Sequence, residues 1–453
     1  MKRVIFLYFL LGGMCSFGQV PQVESPTKVK PIFAVGNAEL DKENLVFKDP
    51  LIVIPLNDQQ KKMWSTFEAK VKNDFKFYSK IFSSFEGGPL TPGNFNKPDF
   101  RSIKGTKRSF FILFKIQAIL KSDLTIVSHV YDSKSEKLFL ERESRVSGEQ
   151  EAISFAHEFA DTLYQRITGK RSIFNSKIVF VSDINSKGKK VVKELYIMDF
   201  DGNNVKQLSH HGGIVISPAF SNDGKKIIYS LLDYNKIIAT NTLYLLDLGS
   251  GKSRLVSNKS GLNTGAVFLP NDKEIALTLS YKGNAEIYRM DLSSKKISQL
   301  TKNRANDVDP AFSFNGNKMA FLSDRSGTAH VYTMSASGVE RDVKRISFVG
   351  KINATPRFSP DGSELVFSSW VDKGFDLFRI SSDSNKLVRL TQNFGSNEDP
   401  SYSPDGQHIV FSSQRVLSSY SATQNLYIMD RDGEILGSLT KKMGNCISPR
   451  WSK

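Results

Sequence analysis

Cysteine is almost missing from this chain, with two in 453 residues, Cys15 and Cys446. Cys15 falls inside a stretch patterned like an export leader, so the remaining chain has no disulfide framework and no Cys-x-x-Cys metal or redox motif. Cys446 is expected to be a small buried residue, and the fold must be held by its core. Histidine is scarce too, six in all, without the His-Glu-x-x-His spacing of a zinc site. No Gly-x-Ser-x-Gly elbow occurs, and no glycine-rich phosphate loop follows a strand. His210-His-Gly-Gly213 has the look of half an oxyanion loop, but no nucleophile accompanies it. These gaps argue against an enzyme, so no catalytic residue, metal ligand set or cofactor is assigned. Acidic charge is the last shortage: 46 Asp and Glu stand against 62 Lys and Arg, a formal net charge of +16. A surplus of that size suits nucleic acid, anionic lipid or an acidic polymer. The lysines are scattered, however, and no arginine–aromatic interleaving marks a nucleic-acid face.

What is present begins with Met1-Lys-Arg and the apolar run Val4–Gly13, followed by small residues at Ser16 and Gly18. This reads as a secretory signal over residues 1–18, too short to span a bilayer. Cys15 invites a lipoprotein reading, but Gly-Gly-Met before it is poor for lipidation. Residues 19–30 (QVPQVESPTKVK) have neither helical nor strand period and read as a mobile N-terminal arm.

The chain's organising feature is a repeat. Thr355-Pro-Arg-Phe-Ser-Pro-Asp-Gly362 is followed by the alternating apolar run Glu364–Ser369, the pattern of a hairpin whose turn uses Pro and Gly. Copies start at Pro218, Ala266, Pro310 and Pro400, and Ser448-Pro-Arg-Trp451 opens one more with nothing after it. The spacing, about 44 to 49 residues, with two further strand-like runs per copy, predicts four-stranded blades of a β-propeller. Lys177–Ser182, Glu194–Asp199 and Val205–Ser209 form a unit lacking its first strand, which Ser448–Lys453 would supply. Six blades over residues 170–453, closed by both ends of the domain and leaving no free edge, are therefore expected.

Upstream, residues 31–169 read as a small α+β domain. Leu51–Pro55 is expected as a short buried strand. Trp64, Phe67, Val71, Phe75, Tyr78 and Phe82 recur at helical spacing after Asn57 or Asp58 as N-cap. Phe110–Leu120, Leu124–Tyr131 and Leu138–Val146 suggest an antiparallel meander. Ser147-Gly-Glu-Gln150 has capping-box spacing and opens a second helix that Gly169 is placed to end.

A propeller's usual site is the mouth of its central channel. The residues just before each first strand are expected in loops around it: Ile216 and Ser217, Asn263 and Thr264, Asp307, Val308 and Asp309, Ala354 and Thr355, Asn397, Glu398 and Asp399, Ile447 and Ser448. Asp307, Asp309, Glu398 and Asp399 would there form a negative patch able to hold a cation or meet a basic partner; alternatively they cap their own turns.

The repeats, the terminal Ser-Pro-Arg-Trp and the join from Phe155-Ala-His-Glu-Phe-Ala-Asp through Thr168-Gly169 to Phe174 resemble the TolB family, the periplasmic propeller component of the Tol-Pal system. The resemblance implies a monomeric, non-enzymatic periplasmic scaffold whose propeller mouth binds the peptidoglycan-associated lipoprotein. It implies that the arm, through residues such as Gln19, Val20, Pro21 and Val23, engages a TolA-like inner-membrane protein. Outer-membrane integrity and constriction at cell division would follow, with peripheral attachment to the outer membrane through partners. Leu262 stands where the family has a partner-contacting His, and Val308 where it has a Thr. Two other classes stay open, an exported propeller serving a peptidase and one binding surface polysaccharide. The latter would need aromatics on the mouth loops, where Tyr420 stands alone.

Overall fold

The computed structural model describes residues 42–452, apart from 91, 101–107, 120–121, 189, 235–239, 383–385 and 419–420. The expected leader, the arm with Gln19, Val20, Pro21 and Val23, and Tyr420 lie outside the described residues. The chain divides into two compact units, residues 42–175 and 176–452 of those described. Residues 170–175 go with the first unit because Phe174 packs on Phe75, Tyr78 and Tyr164, and the Ile173 amide donates to the Tyr78 hydroxyl at 3.0 Å.

In the first unit the meander forms as Ser109–Ala118, Leu124–Asp132 and Lys137–Val146. Two strands without strong alternation, Glu43–Phe47 and Phe82–Glu86, extend the sheet in parallel. The helix Asp58–Lys76 starts at Asn57, whose side chain accepts the Gln60 amide while Gln60 accepts the Asn57 amide, at 2.9 and 3.1 Å. Its apolar stripe is core: Phe67 is stacked on Phe155 and edge-on to Phe114, each with centroids 5.3 Å apart.

Three expectations fail here. The helix stops at Lys76, so Phe82 belongs to a strand, because parallel pairing with Phe47's strand outweighs the helical spacing. Leu51–Pro55 pairs only at Leu51–Ile52, and Ile52, Val53 and Ile54 remain 46–47% exposed where the sheet offers no second neighbour. The second helix, Glu149–Thr168, is capped at Gly148 with no side-chain bond; Glu151 instead accepts the Ser147 amide at 2.8 Å. Gly169 ends it as expected, at φ 70°.

The second unit is the six-bladed propeller, all four-stranded antiparallel sheets. The innermost strands, blades one to six, are Ile214–Phe220, Asn263–Phe268, Asp307–Phe312, Asn353–Phe358, Ser396–Tyr402 and Cys446–Trp451. The last pairs with Lys177–Ser182, so both ends of the domain share blade six. Trp451 locks it: its indole N–H donates to Ser176 Oγ at 2.6 Å and its amide to Ser401 Oγ of blade five at 3.1 Å. The core lies between blades, not within them. Ile228 and Leu245 of blade one join Ile275 and Leu277 of blade two, and Val308 of blade three joins Phe367 of blade four. Each such side chain gains roughly 1.5–3 kcal/mol on burial, and only when its neighbour is present.

Candidate functional site

The residues expected in loops before the first strands lie within the innermost strands themselves. All six strands carry a β-bulge at the same place, between Ile216 and Ala219, Thr264 and Val267, Val308 and Ala311, Ala354 and Arg357, Glu398 and Ser401, and Ile447 and Arg450. The bulge lets pairing continue on both sides of the proline that had been read as the strand's start. Its left-handed residue is Ser217, Gly265, Asp309, Thr355, Asp399 and Ser448 in turn, with φ of 49–60°. Five are not glycine, and all five of these precede proline, an arrangement that strains the backbone around the channel.

The bulge sorts the predicted residues. Ile216, Val308 and Ile447 are at most 4% exposed, and Val308 and Ile447 serve the inter-blade core. Asn263 and Asn397 are fully buried, as is Thr264 at 1%. Asn263 accepts from Ser257 Oγ at 2.6 Å and donates to the Lys259 carbonyl at 2.7 Å, tying down the incoming loop. Asp307 occupies the equivalent place in blade three. It is fully buried, accepts from Asn303 Nδ2 at 2.7 Å and pairs with Arg325 at 2.8 Å. Burial still pushes its carboxyl up to about 6. Ser217, Ala354, Thr355, Glu398, Asp399 and Ser448 keep partial exposure.

Internal groups meet three of the four acids expected in a negative patch, Asp307, Asp309 and Asp399. Asp309 is held by Arg357 of the next blade at 2.9 Å. Asp399 accepts both the amide and the hydroxyl of Ser448 at 3.0 Å. Arg450 is buried near Arg357, Asp399 and Asp309, and loss of hydration lowers its guanidinium to about 10. Burial in the channel, with Asp399 adjacent, pushes Glu398 up to about 7, and the ammonium of buried Lys193, near Asp399 and Glu398, is lowered by its own burial. The carboxylates therefore face internal cations. Arg357, Arg450 and Lys193 were missed from the sequence, although Pro356-Arg and Pro449-Arg repeat at one position of the motif. His211, from the suspected oxyanion loop, shares a hydrogen bond of 2.9 Å with the Tyr229 hydroxyl. Cys446 is fully buried, its thiol pushed up to about 12 by burial. The arrangement ties neighbouring blades together around the channel through pairs such as Asp309 with Arg357 and Asp399 with Ser448.

Comparison with known proteins agrees with this geometry. Residues 164–453 match the family model described as the TolB beta propeller domain. The chain is 34% identical over 203 residues to the TolB homolog of Chlorobium chlorochromatii (strain CaD3), covering 45% of this chain and 43% of that protein. It is 30% identical over 218 residues to the Tol-Pal system protein TolB of Francisella tularensis subsp. mediasiatica (strain FSC147), covering 47% and 49%. The chain thus spans about half the length of the curated relatives it matches. The crystal structure of TolB from Acinetobacter baumannii has the same fold, with a TM-score of 0.71 at 22% identity over 92% of this chain and 98% of that one. The chain belongs to the TolB beta-propeller family.

Proposed function

We propose that this chain is the non-enzymatic propeller component of a periplasmic Tol-Pal system. Its propeller mouth binds the peptidoglycan-associated lipoprotein, and residues 19–30 bind a TolA-like inner-membrane protein, so that the pair supports outer-membrane integrity and constriction at division. The observation that carries the reading is the family match across the propeller, on a channel where Asp307, Asp309 and Asp399 are committed to structural pairs. Ser217, Ala354, Thr355, Glu398, Asp399 and Ser448, which keep partial exposure at the bulges, are the predicted mouth residues open to a partner. No helix among the described residues is long and apolar enough to cross a membrane. The reading needs no cofactor; a cation at the mouth would sit against Glu398 and Asp399, whose mutual repulsion it would relieve.

The test is titration of the mature chain with the purified periplasmic domains of the two partners from the same cell. Deleting residues 19–30 is expected to abolish binding of the TolA-like domain and to leave the lipoprotein bound and the melting temperature unchanged. Binding of neither domain to the intact chain would defeat the proposal.

A further inference from the structure

The repeat supplies its own comparison at the place where each third strand ends. There the amides of Leu248, Leu292, Ala336, Ser382 and Arg431 donate to the carbonyls of Lys225, Lys273, Asn317, Ser363 and Gln407, the same bond in blades one to five. The side chains at this place differ. Leu292 is buried in the core shared by blades one and two, and Arg431 reaches back to Glu364 of blade four at 2.8 Å. Ala336 is the smallest of the five, and beside it lies a cavity of about 210 Å3 between blades two and three, walled by Leu269, Pro270, Leu300, Phe312 and Ala336 itself. The two hairpins close one side of it, since a Cβ on Gly316 would stand 3.0 Å from the Pro270 ring. A larger residue at 336 would keep packing contacts that the cavity gives up, so the fold alone does not call for it. At the rim the side-chain acceptors are already engaged. Asn271 Oδ1 accepts the amides of Lys273 and Glu274 at 3.0 and 3.1 Å, and Asn315 Oδ1 accepts the Ser313 hydroxyl and the Asn317 amide at 2.9 and 3.1 Å. Donors are left over. Arg289 gives its Nε to Glu274 at 2.7 Å and its Nη2 to the other carboxylate oxygen, while Arg289 Nη1 and Asn315 Nδ2 have no hydrogen-bond partner among the described residues. Glu274 balances the Arg289 charge, so these donors suit a neutral acceptor and not a second anion.

We propose that this cavity is a binding site for a neutral ligand in which an aromatic ring stands beside a carbonyl, the ring entering the cavity and the carbonyl accepting from Arg289 Nη1 and Asn315 Nδ2. An apolar cavity of roughly 150 Å3 already holds a benzene ring, and Phe312 with Pro270 offers faces against which a ring packs. One aromatic residue within an extended peptide has this chemistry, and so does a free aromatic amide. Phe314, in the same hairpin as Asn315, is 64% exposed, and Val339, on the loop that Ala336 begins, is 56% exposed. Both offer apolar surface to the residues flanking the ring in a peptide. Phe314 stands where the other hairpins have Asn222, Pro270, Pro360 and Pro404, so the turn itself does not require it.

The probe is N-acetyl-phenylalanine amide titrated into the full chain, with saturation-transfer NMR of the ligand and calorimetry as readouts; no Tol-Pal partner is needed. Binding of about millimolar strength or tighter is expected of a ligand of this size. Ala336→Leu, which gives blade three the side chain that Leu292 gives blade two, is expected to weaken binding by about tenfold or more and to melt no lower than wild type. Ala336→Val, a smaller filling, provides the same comparison if leucine overpacks the site. N-acetyl-glycine amide, which lacks the ring, and hydrocinnamate, whose carboxylate meets the charge of Glu274, should each bind at least about tenfold more weakly than the probe. A tripeptide amide with phenylalanine at its centre that binds more tightly than the probe assigns the site to a peptide segment; one that binds more weakly assigns it to a free aromatic amide. Failure of the wild type to bind the probe, unchanged binding by both Ala336 variants with native melting curves, or hydrocinnamate binding as well as the probe would overturn the inference.

Discussion

Glu398 is the residue at which charge and burial conflict most openly. Its ordinary carboxyl value is 4.5, and burial beside Asp399 pushes it to about 7 in the folded chain. A raised folded value in an acid means the folded state holds the proton more tightly than the unfolded chain. Its contribution is therefore most favourable below about 4.5, declines as pH rises, and is fully lost above about 7. Glu398→Gln, which is neutral throughout, should melt higher than wild type at pH 8 and close to it at pH 4.5. Thermal unfolding of both proteins across that range checks this; parallel profiles would show that Glu398 ionises normally in the channel. Cys446, fully buried with its thiol raised to about 12, should resist alkylation in the native protein at pH 8 and react at once in denaturant. A free-thiol assay with and without guanidinium measures the contrast.

At the scale of the element, turns decide more than strands do. Gly350, in the loop entering blade four, has φ 69°, and a Cβ there would stand 2.6 Å from the Trp370 carbonyl oxygen and nearer still to Ser369 Oγ. Gly224, in the hairpin of blade one, has φ 70° with open space around it. Gly224→Ala should therefore cost only the left-handed conformation, about 1–2 kcal/mol. Gly350→Ala adds overpacking against backbone, for a total of about 3 kcal/mol. Denaturant midpoints of the two variants give the comparison, and equal losses would mean the loop at Gly350 yields without cost. The hairpins were legible because Ser-Pro-Asp-Gly specifies its own turn over four residues. The bulges were not, because Ser217, Thr355 and Ser448 are residue types that seldom adopt the left-handed conformation, and even Asp309 and Asp399, whose type adopts it more readily, stand before proline.

For the whole molecule, closure is the central device. Cys446–Trp451 supplies the inner strand of blade six, burying Ile447 against Val179, Val181 and Val215 and joining blade five through Trp451 and Ser448. Removing residues 444–453 strips that strand and leaves the inner edge of Lys177–Ser182 and the cores on both sides open to water. We expect aggregation, or a melting temperature lower by more than about 10 °C given the several side chains exposed. An unchanged melting curve for the truncated protein would mean that the ring is held without its closing strand.

The sequence by itself determined the blade count, the order of strands, the meander, the capped first helix and the closing strand. Each of these is written in local terms: alternation, turn residues, and a repeat that can be read off one copy at a time. Tertiary structure decided what the channel carboxylates meet. Asp309 meets Arg357 and Asp399 meets Ser448 across one full repeat, 48 and 49 residues apart. No local pattern reports such pairs, since they exist only once neighbouring blades are stacked around the channel. The same stacking brings the cations of Arg357, Arg450 and Lys193 among the acids of the channel.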